Sequence, residues 1–182
     1  MFLCVLFIYK QMGLARCFFL SSNGVLMGLK EELKLNKPFA SREHEALLNL
    51  YFTGTRIRKW GTDFLQPHGL TDVQFNLLML LKYQGQQEDL SQARLSEMML
   101  VNRANITGLV DRMEKAGLVH RLGDPADRRA HRIVLTPKGK QTVDRVEPLY
   151  AQEIKRLTGS LRRQEIEQLI RLCEKVRNNL EI

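Results

Sequence analysis

Residues 123–136 read GDPADRRAHRIVLT, and how this stretch is understood decides the rest of the chain. Gly123, Asp124 and Pro125 are turn formers. A turn alone gives no reason for Asp127, Arg128 and Arg129 to crowd at its tip. Beyond the tip, HRIVLT alternates and sets Ile133 and Leu135 on one face, the pattern of a strand. Leu118 to Leu122 reads as the strand that precedes it. The prediction is a hairpin with a charged tip.

Two short helices are expected just upstream. Gln92 to Met99 turns Leu95, Met98 and Met99 inward. After the tight connection LVN, Asn102 is placed to cap a helix from Arg103 to Ala116, and Gly117 supplies the left-handed stop. On a helical wheel Ile106, Leu109, Val110 and Met113 form a core stripe. The opposite side holds Ala104, Gly108, Asp111 and Lys115, flanked by Asn105, Thr107 and Arg112. Small residues there allow close approach to a surface, and the flanking side chains can reach phosphates or base edges in a DNA major groove, whose width admits a helix. Gly108 costs roughly 1 kcal/mol against alanine inside a helix, so it needs a reason: close approach to DNA, or packing against another helix. Two packed helices and a two-stranded wing make a winged helix-turn-helix. In that arrangement the hairpin tip projects to the neighbouring minor groove, whose focused negative potential suits arginine, with Asp127 orienting it. A solvated turn with a surface ion pair is the plainer alternative.

The flanks are helical. Ser41 caps a long helix to Leu65, with Leu47, Leu50, Tyr51, Ile57 and Phe64 at helical spacing. QPHGL interrupts the chain. Thr71 and Gln74 then make a capping box for a strongly apolar helix, Asp72 to Tyr83. Thr136 followed by Pro137 opens another, and Lys138–Leu157 and Leu161–Leu180 read as two amphipathic helices joined at TGS. The fold class is mainly α with a small β-hairpin. Residues 69–136 are expected to form the winged helix-turn-helix DNA-binding domain, flanked by the long helices of 41–66 and 137–182, with 1–40 an N-terminal extension. Within that extension residues 1–26 are expected to have no function of their own; an extra packing segment or a membrane attachment are the other readings. The apolar run at its start is far short of the ~20 residues needed to span a bilayer, so no membrane partner is expected.

Charge agrees with a nucleic-acid partner. The net charge is +8 over 182 residues, and between Val101 and Lys140 nine cations face four anions. Cys4, Cys17 and Cys173 are scattered, and the four histidines keep no metal-ligand spacing, so neither disulfides nor a bound metal is expected, as suits the cytoplasm. No Gly-rich phosphate loop, nucleophile elbow or metal cluster appears. An enzyme, and a cofactor, are not expected.

From Gly69 to about Glu147 the chain resembles the MarR family of bacterial winged-helix regulators. The resemblance rests on LSEMMLVNRANITGLVDRMEKAGLVHR, residues 95–121, followed by DPADRRAHRIVLTPKG, residues 124–139. Leu100 departs from it, standing where many relatives have a turn glycine. The resemblance implies a homodimer in which the first long helix and the last two interleave. It implies that Asn102, Arg103, Asn105, Thr107 and Arg112 contact double-stranded DNA from the recognition helix. Asp127 and Arg129 match the wing's Asp-x-Arg, with Arg129 entering the minor groove and Arg128 on a phosphate. It further implies a repressor released by a small aromatic or anionic effector. Oxidant sensing is disfavoured, because the first long helix has no cysteine, and Cys173 is expected to pack at the dimer interface. Independently, Leu161, Ile166, Leu169, Ile170, Leu172, Val176 and Leu180 offer more apolar surface than a lone terminal helix can hide. Arg56, Trp60 and His68 are candidate effector-pocket residues, Trp60 for stacking; ordinary packing is the alternative. Two rival functions stay open: a constitutive DNA binder without ligand, and a winged helix used as a protein-interaction module, which would need an apolar recognition face.

Overall fold

The structure, a computed structural model, describes residues 27–85, 90–99, 103–123 and 131–180. The chain divides into two compact units, residues 1–57 and 58–182. In the first, a single turn, α1 (Leu29–Glu32), buries Leu29. The long helix α2 (Arg42–Leu65) begins here and runs past the boundary into the second unit. Its expected N-cap is in place, with the Ser41 hydroxyl accepting from the His44 backbone N–H at 3.2 Å. Within this unit Leu47, Leu50, Tyr51 and Ile57 are exposed.

The second unit holds the core. QPHGL does not merely break the chain: Gln66–His68 is a 3-10 turn closed by Gly69 at φ 72°, a left-handed conformation that glycine adopts without a Cβ penalty. Helix α3 (Asp72–Tyr83) follows, and its capping box is complete: the Gln74 N–H donates to Thr71 Oγ1 at 3.3 Å and the Thr71 N–H to Gln74 Oε1 at 2.9 Å. Phe75, Leu77, Leu78 and Leu81 of α3 are buried.

Helices α4 (Gln92–Met98) and α5 (Arg103–Lys115) pack on each other, and strands β1 (Val119–Gly123) and β2 (His131–Leu135) pair antiparallel, Val119 opposite Leu135 and Gly123 opposite His131. The apolar stripe expected on α5 is the buried one: Ile106, Leu109, Val110 and Met113 are at most 3% exposed. Leu118 falls outside the strand that the sequence pattern begins there. Its N–H bonds to Met113 O, while that of Gly117, at φ 70°, bonds to Glu114 O, each at 2.9 Å. That is a Schellman stop, and it takes up the residue that periodicity alone hands to the strand. One pairing had no sequence signal. Ser91 bridges Arg132, and the Ile133 N–H donates to Leu90 O at 2.9 Å, so the hairpin is tied to the residues that enter α4.

Helix α6 (Pro137–Thr158) packs against α3 and the hairpin, burying Val143 and Val146. Its N-cap Thr136 has two tasks: the hydroxyl accepts from the Gly139 N–H at 2.9 Å and donates to Gly117 O at 2.7 Å. Helix α7 (Arg163–Asn178) starts two residues later than the apolar pattern suggests. The Arg162 N–H is taken by the Glu165 carboxylate at 2.7 Å, so the helix opens there and leaves Leu161 exposed before it. Among the described residues no helix is long and apolar enough to cross a membrane.

Candidate nucleic-acid interface

The outer face of α5 is built by the burial of its inner one. With Ile106, Leu109, Val110 and Met113 committed to the core, helical geometry forces Ala104, Asn105, Thr107, Asp111 and Arg112 outward, and all five are exposed. Among the described residues, a Cβ added to Gly108 would meet only the far end of the Arg112 side chain, Nη1 at 3.3 Å. No other helix crowds this glycine, so helix packing does not account for it among the described residues. A groove of about 480 Å³ runs between the start of α3 and this face, lined by Thr71, Gln74, Ala104, Asn105, Gly108 and Arg112.

The C-terminal end of α5 is held from below. Lys138 Nζ donates to Ala116 O at 2.7 Å, which places a cation where the helix carbonyls converge. At Gly139, an added Cβ would lie 2.0 Å from Leu118 O, so α6 approaches the end of the Schellman turn backbone to backbone.

Thr107, expected to face DNA, is exposed, and its hydroxyl is hydrogen-bonded to the Gln92 amide at 3.0 Å. Asp111 and Glu114 do not lie idle on the outer helix face: both reach Arg121 on β1, Asp111 at 2.5 Å. The Glu114 carboxyl is held below its ordinary range, first by the Arg121 backbone N–H and then by the guanidinium, against the opposing effect of burial. No periodic rule reveals this cluster, because its members sit on either side of a helix stop. Arg103 opens α5. Asn102, Asp127, Arg128 and Arg129 lie outside the described residues.

Of the three candidate effector residues, one lies in the first unit and two in the second. Arg56 forms an ion pair with Glu32 in the first unit. In the second unit Trp60 stacks on Phe64, ring centres 5.8 Å apart, and lies 5.6 Å from Tyr150. His68 lies on Phe64 at 5.4 Å, so Trp60 and His68 belong to one aromatic cluster that Phe75 extends through Tyr150 at 5.1 Å. Tyr150 and Phe75 carry no separate signal in the sequence; each joins the cluster from a different helix, α6 and α3. Among the described residues no cluster of three or more His, Cys, Asp or Glu could hold a metal ion.

Comparison with known proteins agrees with this architecture. Residues 68–130 match the family model described as the MarR family. The uncharacterised HTH-type transcriptional regulator YkoM of Bacillus subtilis (strain 168) is 32% identical over 141 residues, 75% of this chain and 90% of YkoM. Among solved structures, S. aureus MepR in complex with DNA superposes with a TM-score of 0.69 at 21% identity, covering 78% of this chain and 100% of MepR. CouR from Rhodococcus jostii RHA1, bound to p-coumaroyl-CoA, gives a TM-score of 0.66 at 23% identity, covering 79% and 99%. With a relative of this identity matched over nearly its whole length, and the winged-helix motifs in place, the chain belongs to the MarR family of transcriptional regulators.

Proposed function

We propose that this regulator is a homodimeric repressor in the cytoplasm that binds a pseudo-palindromic operator and is released by a small aromatic or anionic effector. The observation that carries the reading is the two-sidedness of α5: its apolar stripe is sealed in the core while its exposed face is small and polar. A protein-docking face would be apolar. Asn105, Thr107 and Arg112, with Asn102 and Arg103 at the helix start, read base edges and phosphates in the major groove. Asp127, Arg128 and Arg129 serve the wing, Arg129 in the minor groove.

Residues 69–136 form the DNA-binding domain in this reading, and 41–66 with 137–182 the dimerisation helices. Exposed Leu169, Ile170, Leu172 and Leu180 support a partner copy, since such a surface is costly to leave in water. Twofold symmetry then sets recognition helices about one DNA turn, ~10 bp, apart. The aromatic cluster of Trp60, Phe64, His68 and Tyr150 supports an effector with an aromatic ring, and CouR is a relative in fold that holds such a compound.

The test is binding to DNA from just upstream of the protein's own gene, titrated against salt and random competitor. Tight binding that survives competitor and weakens steeply with salt is the expected result. Binding no better than to random DNA removes the operator reading.

A further inference from the structure

Arg121, on β1, is largely shielded from solvent, its side chain only 21% exposed. Its donors are committed. Nη1 donates to Glu114, and Nη2 donates to Asp111 at 2.5 Å. The Gln92 amide must turn its carbonyl toward a group that has only donors. It then accepts from Nε at 2.9 Å and Nη2 at 3.0 Å, and its own N–H donates to Thr107 Oγ1 at 3.0 Å. The Arg121 backbone N–H is also used, on Glu114 Oε1 at 3.0 Å. One guanidinium therefore joins three elements: α4 through Gln92, α5 through Asp111 and Glu114, and β1 through itself.

We infer that Arg121 is a positioning residue for operator recognition: it sets the rotation of α5 against the wing strand and neutralises two carboxylates that would otherwise face a polyanion. This rests on the reading of α5 and the wing as the DNA-reading elements. The geometry explains why carboxylates occur here at all. Asp111 lies one helical turn beyond Thr107 on the same side of α5, and Glu114 follows at the next turn. Pinning both to β1 fixes which way Asn105 and Thr107 point. The same contact fixes where the hairpin leaves the helix. A planar fork with fixed donor directions does this, whereas a lysine supplies a point charge without direction.

A phosphate-binding arginine and a positioning arginine part in their salt dependence. Each phosphate contact contributes about 0.9 to the slope of log K against log salt. Operator and random-sequence DNA binding are to be measured across a salt series for the parent, Arg121→Lys, Arg121→Gln and Asp111→Asn. Asp111 is half exposed, so its substitution leaves the core intact. The expected result is a loss of about tenfold in the operator-to-random ratio for Arg121→Gln and Asp111→Asn, with the parent's salt slope retained. Arg121→Lys, which keeps the charge, is expected to lose the ratio as well. Random-DNA binding by Asp111→Asn should not fall, because a negative charge has been removed. Three results overturn the proposal: an unchanged ratio in Asp111→Asn, full rescue by Arg121→Lys, or a slope lower by about 0.9 in Arg121→Gln. A parent protein that does not prefer its operator overturns the function reading itself, and that is seen before any variant is compared.

Discussion

Lys82 Nζ lies 2.6 Å from Asp144 Oδ1, and the same ammonium reaches Glu147 at 2.5 Å, so the last turn of α3 is tied to α6 by one cation between two carboxylates. Tyr83 Oη donates to Glu147 as well. The Glu147 carboxyl is held below its ordinary range, first by the Lys82 hydrogen bond and then by Tyr83. Lys82 is raised above its own, by Asp144 and then Glu147. A depressed carboxyl contributes stability above its ordinary value of 4.5, lost as pH falls through the lower folded value. A raised lysine contributes stability below its ordinary value of 10.5, lost as pH rises through the higher folded one. The window is thus the range between 4.5 and 10.5. Lys82→Met should cost about 1 kcal/mol in urea unfolding at neutral pH, since the site is only partly shielded from water. The gap between variant and parent should close in acid. A gap of equal size at pH 2–3, roughly, would show that packing, not charge, holds the contact.

Gly139→Ala has no room. Its Cβ would lie 2.0 Å from a backbone oxygen, Leu118 O, which no side-chain rotation can clear. A loss of about 3 kcal/mol or more is expected in the free energy of unfolding, at the top of the range for overpacking. Denaturant unfolding measures it directly.

Gly108→Ala should behave in the opposite way. Among the described residues the only neighbour of the new methyl is the flexible end of Arg112, at 3.3 Å. Alanine favours a helix interior by about 1 kcal/mol over glycine, so the variant should unfold at higher urea concentration. Operator binding should nevertheless weaken, because the methyl occupies the surface proposed to approach DNA. A more stable variant with unchanged binding would remove close approach as the reason for this glycine.

Asn105→Ala should relax sequence preference, with about 1–3 kcal/mol at stake for a good base contact, and leave binding to random DNA near the parent's. Arg129→Ala should weaken binding and reduce the preference for A·T-rich flanks. Competition between operators mutated base by base, or in their flanks, separates the two effects.

The element order and most helix limits were legible because short-range chemistry writes them. Thr71 with Gln74, Gly117 at φ 70° and Thr136 before Pro137 each satisfy backbone groups within a few residues of themselves. Ile106, Leu109, Val110 and Met113 announced the inner face of α5 by period alone, and its polar outer face followed. Two of the boundaries that moved, at Leu118 and Leu161, moved where a cap took residues that the apolar pattern had assigned to an element.

Partners brought together across turns were not legible. Asp111 and Lys115 read from the wheel as one outward pair of charges. In the fold Asp111 turns to Arg121, ten residues on, across the glycine stop and into the strand. Thr107 read as an outward hydroxyl and is engaged by Gln92 of another helix. Sequence by itself determined the winged-helix class, the core stripe and the face α5 turns outward, because helix period and caps act over a turn or two. Only the tertiary structure decided which polar groups on that face are engaged with neighbouring elements. A hydrogen bond forms between atoms about 3 Å apart in space, and local spacing does not encode that distance between residues separated by turns.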